Sequence, residues 1–176
     1  MKEHKQSIYQ KASVWGIPFG LFLSCIGVTS VFADWFQPLG FISLVLLLST
    51  PLVVYYFQRR HFVEEGGFAE YAELWMLGIM LFMLGTVLAS FIMFLVIQLG
   101  RPEFIYDQAN MAIKTYSAMP EMHDSEMVNV LQRMVDERKL PTPIEMVFNV
   151  FWFITFGGCI TSAITALVAR RSLHKP

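Results

Sequence analysis

Hydrophobic residues along this chain fall into four long blocks separated by brief polar punctuation. The first runs from about Val14 to Ala33 and the second from about Leu39 to Phe57, both free of charge. The third, about Ala72 to Leu99, has Glu73 at its entrance, and the fourth, about Ile144 to Val168, has Glu145 near its start. Each block meets the roughly 17–25 residues that a helix needs to cross a bilayer. Asp34 and Pro38 bracket the first turn, Arg59 and Arg60 follow the second block, and Gly100-Arg101-Pro102 closes the third. Pro141 and Pro143 precede the fourth, where a missing N–H costs little. The pattern predicts an all-α polytopic membrane protein: four transmembrane helices, treated as a single membrane domain over 1–176. The first block is too long for the apolar part of a cleaved signal peptide, and a second span follows at once.

Between the third and fourth blocks, residues 100–142 have a different rhythm. Asp124 is placed to cap a helix with Ser125 and Glu126 in its first turn. Met127, Val130, Leu131, Met134 and Val135 then recur at helical spacing. An earlier stretch, Glu103 to Ser117, carries Phe104, Ile105, Met111, Ile113 and Tyr116 with weaker phase. The expectation is an extracytoplasmic loop of two amphipathic helices, lying on the membrane surface or folding over the bundle as cap or lid.

Composition excludes more than it identifies. Hydrophobic residues make up 55% of the 176 and charged residues 15%. A domain of this size cannot hide that much apolar surface from water, so a soluble enzyme, a nucleic-acid binder and a disordered chain are all disfavoured. The formal net charge is −1 and no basic stripe suits nucleic acid. Cys25 and Cys159 lie far apart in apolar runs and form no metal or redox motif.

Charge placement predicts orientation. Eight Lys and Arg (Lys2, Lys5, Lys11, Arg59, Arg60, Arg170, Arg171, Lys175) fall on one side. The other side has none in its short turn and five in its long loop, which also holds seven acids. Both termini are therefore expected to be cytoplasmic, in the inner membrane.

Small residues at four-residue spacing mark helix-packing or oligomer faces, because helices in lipid associate through close fit. They are Gly16, Gly20 and Ser24 in the first span and Gly85 and Ala89 in the third. The fourth has Gly158, Ser162 and Ala166. No ionisable residue sits at the middle of any span, which disfavours ion pumps and voltage sensors. Ser49 and Thr50 are placed to satisfy carbonyls freed by Pro51, and Thr86, Ser90, Asn149, Thr155 and Thr161 are further uncharged polar groups. Arg59, Arg60, His61, Glu64 and Glu65 form a juxtamembrane cytoplasmic cluster. It reads first as a solvated turn whose arginines meet anionic lipid headgroups. On a helix His61 and Glu65 would share a face, an arrangement open to metal binding or acid–base work, but Gly66 and Gly67 follow immediately. Glu73 and Glu145 suit helix N-termini. Trp75, Trp152, Tyr55, Tyr56 and Tyr71 suit interfacial positions. No catalytic constellation, cofactor motif or metal motif emerges.

Local pattern supplies a resemblance. Arg59-Arg60 at the end of the second span, Gly66-Gly67-Phe68-Ala69-Glu70-Tyr71 leading into a third span with Gly78, and Arg101-Pro102-Glu103-Phe104 closing it are similar to a bacterial family of four-span membrane proteins known as domain of unknown function 4199. A Met- and Glu-rich outer loop and a last span rich in small residues complete the likeness over nearly the whole chain. The resemblance carries no active residue with it. It implies a neighbourhood of polyprenyl-phosphate-sugar glycosyltransferases, and hence a membrane-associated glycosyltransferase as partner. The reading that results is a non-catalytic accessory or scaffold subunit of an envelope system, with membrane lipids and a homo-oligomer as further partners and no nucleic acid. The alternative is a small transporter, channel or lipid-handling protein acting as an oligomer. A membrane enzyme built on His61, Glu64 and Glu65 is a third.

Overall fold

A computed structural model describes residues 7–119 and 126–171, the side chain of Met127 excepted. Six α-helices and no strand occur among the described residues: α1 (Ile8–Val31), α2 (Gln37–Glu64), α3 (Tyr71–Leu95), α4 (Phe104–Ser117), α5 (Glu126–Asp136) and α6 (Pro143–Arg171). A π-helical turn, Val96–Gly100, continues α3. With that extension counted, α1, α2, α3 and α6 are all long and apolar enough to span a membrane. The proposed cap at Asp124 and Ser125, the residues His4, His123 and His174, and the basic Lys2, Lys5 and Lys175 lie outside the described residues.

The helices begin where side chains can take up their first free N–H groups. Ser7 and Gln10 cap α1 reciprocally, each accepting from the other's backbone N–H. Thr142 and Glu145 do the same at α6, with Glu145 also accepting from the Thr142 hydroxyl. At α3, Glu73 accepts from the N–H of Glu70. Glu73 and Glu145 thus act as specific caps, beyond a general attraction to the helix dipole.

Helix α1 starts six residues before the first apolar block, so Lys11 lies inside it and is buried. Helix α2 likewise continues past Arg59 and Arg60. Its 28 residues reach about 42 Å at 1.5 Å each, while the hydrocarbon core is about 30 Å thick. The apolar run that fills the core stops at Phe57, and Gln58 onward forms a polar extension. Gly66 and Gly67 end the helix without unravelling it. With φ of 66° and 85°, they let Gly66 N–H donate to Val63 and Gly67 N–H donate to Phe62. His61 therefore stays on regular helix and Glu65 caps its end, rather than both lying in a solvated turn.

The contacts of the chain gather in two compact units: Met1–Met93 with Asn149–Pro176, and Phe94–Phe148. In the first, α1 meets α3 along the expected small-residue stripe. An ideal Cβ on Gly20 would stand 3.0 Å from the Gly85 carbonyl, and one on Gly85 2.7 Å from Phe19 Cδ1. Phe19 fills the centre, edge-on to both Phe57 and Phe82. The α6 stripe is taken up within this unit: Gly158 accepts the ring of Phe82, Ser162 faces Gly78, and Ala166 packs with Phe62, Leu74 and Ala169. Adjacent Gly157 meets nothing. Among the phenylalanines of α3 and α6, Phe91 and Phe153 are exposed, while Phe94 and Phe151 are half-buried. At Pro51 the Ser49 and Thr50 hydroxyls donate to Leu46 O, not to the Leu47 carbonyl that the proline leaves without its usual donor.

In the second unit α4 and α5 pack on each other. The inward face of α5 keeps Leu131, Met134 and Val135 of the expected stripe and adds Val128, while Val130 points out. Arg101, buried, pairs with Asp107 at 2.7 Å and lies over the Phe104 ring.

Gly157 and Gly158 offer a paired test. A Cβ at Gly158 drives into Phe82, and overpacking of this kind costs about 1–3 kcal/mol. Gly158→Ala should therefore lower the thermal midpoint in detergent by several degrees, while Gly157→Ala leaves it unchanged or raises it.

Candidate functional site

Extending the helical phase of α2 past its apolar run puts Gln58, His61 and Phe62 on the same face as Thr50, Val54 and Phe57. All six are buried. The two fully polar members of this face organise two connected clusters.

The first joins α1 to α2. Lys11 Nζ lies 3.1 Å from His61 Nδ1, 3.1 Å from Glu64 Oε2 and 3.3 Å from Glu65 Oε1. Lys11 and His61 are 8% and 1% exposed. An ammonium only donates, so His61 Nδ1 accepts and the ring proton belongs on Nε2. Glu64 also accepts from Arg60 Nε at 3.0 Å, and the Arg60 guanidinium lies over the Trp15 ring. A buried cation is expensive unless paired and hydrogen-bonded. Here two carboxylates and an imidazole share it.

The second joins α2 to α3 and α6. Gln58 Nε2 donates to the carbonyls of Leu74 and Ser162 and to Ser162 Oγ, each at 3.1 Å. Two carbonyl acceptors fix which amide atom is nitrogen. Ser162 Oγ in turn donates to Trp75 O at 3.0 Å. Tyr71 OH and Trp75 Nε1 donate to the α6 carbonyls of Ala163 and Cys159, so these aromatics tie α3 to α6 through their polar tips. Arg59 donates to Ala169 O near the end of α6, where a cation suits the helix dipole. Four buried side-chain atoms have no partner among the described residues: Gln58 Oε1, His61 Nε2, Thr86 Oγ1 and Thr155 Oγ1.

The structure brings Arg60, His61, Glu64 and Glu65 together and adds Lys11, fifty residues away in sequence, which a reading by local cluster missed. It separates Arg59, which turns to α6. Gln58 was also missed, although its helical phase with Val54 and His61 was visible. No group of three or more His, Cys, Asp or Glu placed to hold a metal occurs among the described residues.

Four membrane-length helices whose polar side chains bond to one another and to neighbouring backbones define a multi-pass α-helical membrane protein. Residues 14–171 match the family model described as "Protein of unknown function (DUF4199)", and the chain belongs to that family. Comparison with curated proteins and with solved structures finds no match.

Lys11→Met strands Glu64, Glu65 and His61. Removing one partner of a buried pair costs 3–5 kcal/mol, and the loss here should be about 3 because Glu64 is partly open to solvent. Lys11→Met combined with Glu65→Gln should be less destabilised than the two single losses summed, as read from a double-mutant cycle of unfolding.

Proposed function

We propose that this chain is a non-catalytic accessory or scaffold subunit of the bacterial inner membrane, with both termini cytoplasmic, that docks a membrane-associated glycosyltransferase using polyprenyl-phosphate sugars. One observation carries the reading. The most reactive groups of the bundle, Lys11, His61, Glu64 and Glu65, are engaged with each other across α1 and α2, as positions that hold helices together are. Small-residue contacts such as Gly20 on Gly85 and Gly158 on Phe82 serve the same end. The partner class follows from the family resemblance. Affinity purification in mild detergent from native membranes, with mass spectrometry and light scattering, tests it. The expected result is a stoichiometric envelope enzyme that co-purifies, and recovery of the chain alone or only as a homo-oligomer overturns it.

A second reading, an oligomeric transporter or lipid-handling protein, draws on Thr86 and Thr155. Both hydroxyls are buried in α3 and α6 without partners among the described residues, as groups facing a polar path would be. If they are packing residues instead, Thr86→Val and Thr155→Val should each stabilise the protein by about 1 kcal/mol, since an unsatisfied buried hydroxyl is costly. A measured loss of stability on both substitutions would favour the polar path.

A further inference from the structure

Lys11 occupies the one atom on which His61 could take a second proton. The ammonium sits 3.1 Å from Nδ1, and the Nε2–H has no partner among the described residues. The charges that act on this ring come from three helices: Lys11 of α1, Glu64 and Glu65 of α2 itself, and Glu73 of α3. On the α6 side the neighbouring Phe62 packs against the apolar Ala166 and Ala169. A second proton would set donor against donor and cation against cation inside a buried site, and the Lys11–His61 hydrogen bond could not persist. Lys11 would keep its carboxylates, and the imidazolium would turn toward Glu65 or Glu73.

We propose that the Lys11–His61 contact is a proton-released latch between the start of α1 and the end of α2. It is closed while the imidazole is neutral and opens when the ring takes its second proton. The two helices are joined only at their far ends, by residues 32–36. The latch therefore adds to the Lys11 ion pairs and the Arg60–Trp15 contact in holding the open end of the hairpin, and its release loosens that end without parting it. This device is independent of the accessory reading and survives its failure.

The direction of the pH effect follows from linkage. In the unfolded chain histidine takes its proton near pH ~6.5. In the folded chain burial opposes it first and the Lys11 charge second, against the smaller pull of Glu65, Glu73 and Glu64. The unfolded state then binds more protons below that pH, and stability falls as pH falls. Carboxylates titrate near pH ~4, so the interval from pH 7.5 to 5.5 isolates the histidine.

The test uses the full chain in lipid nanodiscs. Nitrogen-15 NMR of labelled histidine at pH 7.5, with His61→Gln assigning the signal, should show a neutral ring protonated on Nε2. The thermal midpoint should drop by several degrees between pH 7.5 and 5.5 in the unmodified protein. The drop should be much smaller in His61→Gln and in Lys11→Met. An Nδ1–H tautomer or an imidazolium at pH 7.5 overturns the proposal, as does an equal drop in the unmodified protein and both variants. If His61→Gln does not fold, Lys11→Met supplies the comparison and the tautomer is read by difference against it.

Discussion

In hydrocarbon a helix gains nothing by hiding apolar side chains from lipid tails, so every contact between helices here depends on how closely two backbones can approach. Gly20 against Gly85, Gly78 against Ser162 and Gly158 beneath the Phe82 ring are places where a Cβ would collide with the neighbouring helix. They set the separation of α1 from α3 and of α3 from α6. The rest of the first unit is arranged around those separations. Phe19 can sit edge-on to Phe57 and Phe82 because Gly20 and Gly85 leave it room. Ser162 can reach both Gln58 and the Trp75 carbonyl because Gly78 carries no side chain in the way.

Close backbones also bring polar side chains within range, and polar contacts are concentrated toward one end of the bundle. Gln58, His61 and Lys11 would each be costly alone in a low-dielectric setting. Bonded across helices, they restrict which pairs of helices can be neighbours and in what register. Apolar fit tolerates sliding, but a lysine that must meet one imidazole and two carboxylates does not.

Much of this was legible in the chain. Four apolar blocks became four long helices, and the small-residue spacing of α1 and α3 located their seam. The caps at Ser7, Glu70 and Thr142 each carry Glu or Gln three residues on. The site was only half legible. Arg59 and Arg60 look like the end of a span, yet the helix runs to Glu64 because a left-handed glycine pair terminates it there and nothing earlier does. Lys11 looked like a tail residue because hydropathy begins at Val14. What placed it inside α1 was the Ser7–Gln10 box, a signal of chain direction and not of polarity. Its pairing with His61 spans fifty residues and depends on three-dimensional register, which no local pattern encodes. In the second unit, α5 packs through Val128 rather than Val130, because two valines two apart offer opposite faces and only the partner helix selects between them.

The five-residue link between α1 and α2 bears on how the protein is made. Residues 32–36 carry Asp34 and no lysine or arginine, so this link is the cheaper end of the hairpin to move through a bilayer. The opposite ends carry Lys11 on one arm and Arg60, Glu64 and Glu65 on the other, two cations and two carboxylates that pair once the hairpin closes. Everything needed for that closure lies within the first 65 residues. As the chain emerges from the ribosome, α1 and α2 can enter the membrane as one paired hairpin, before α3 exists to pack against them.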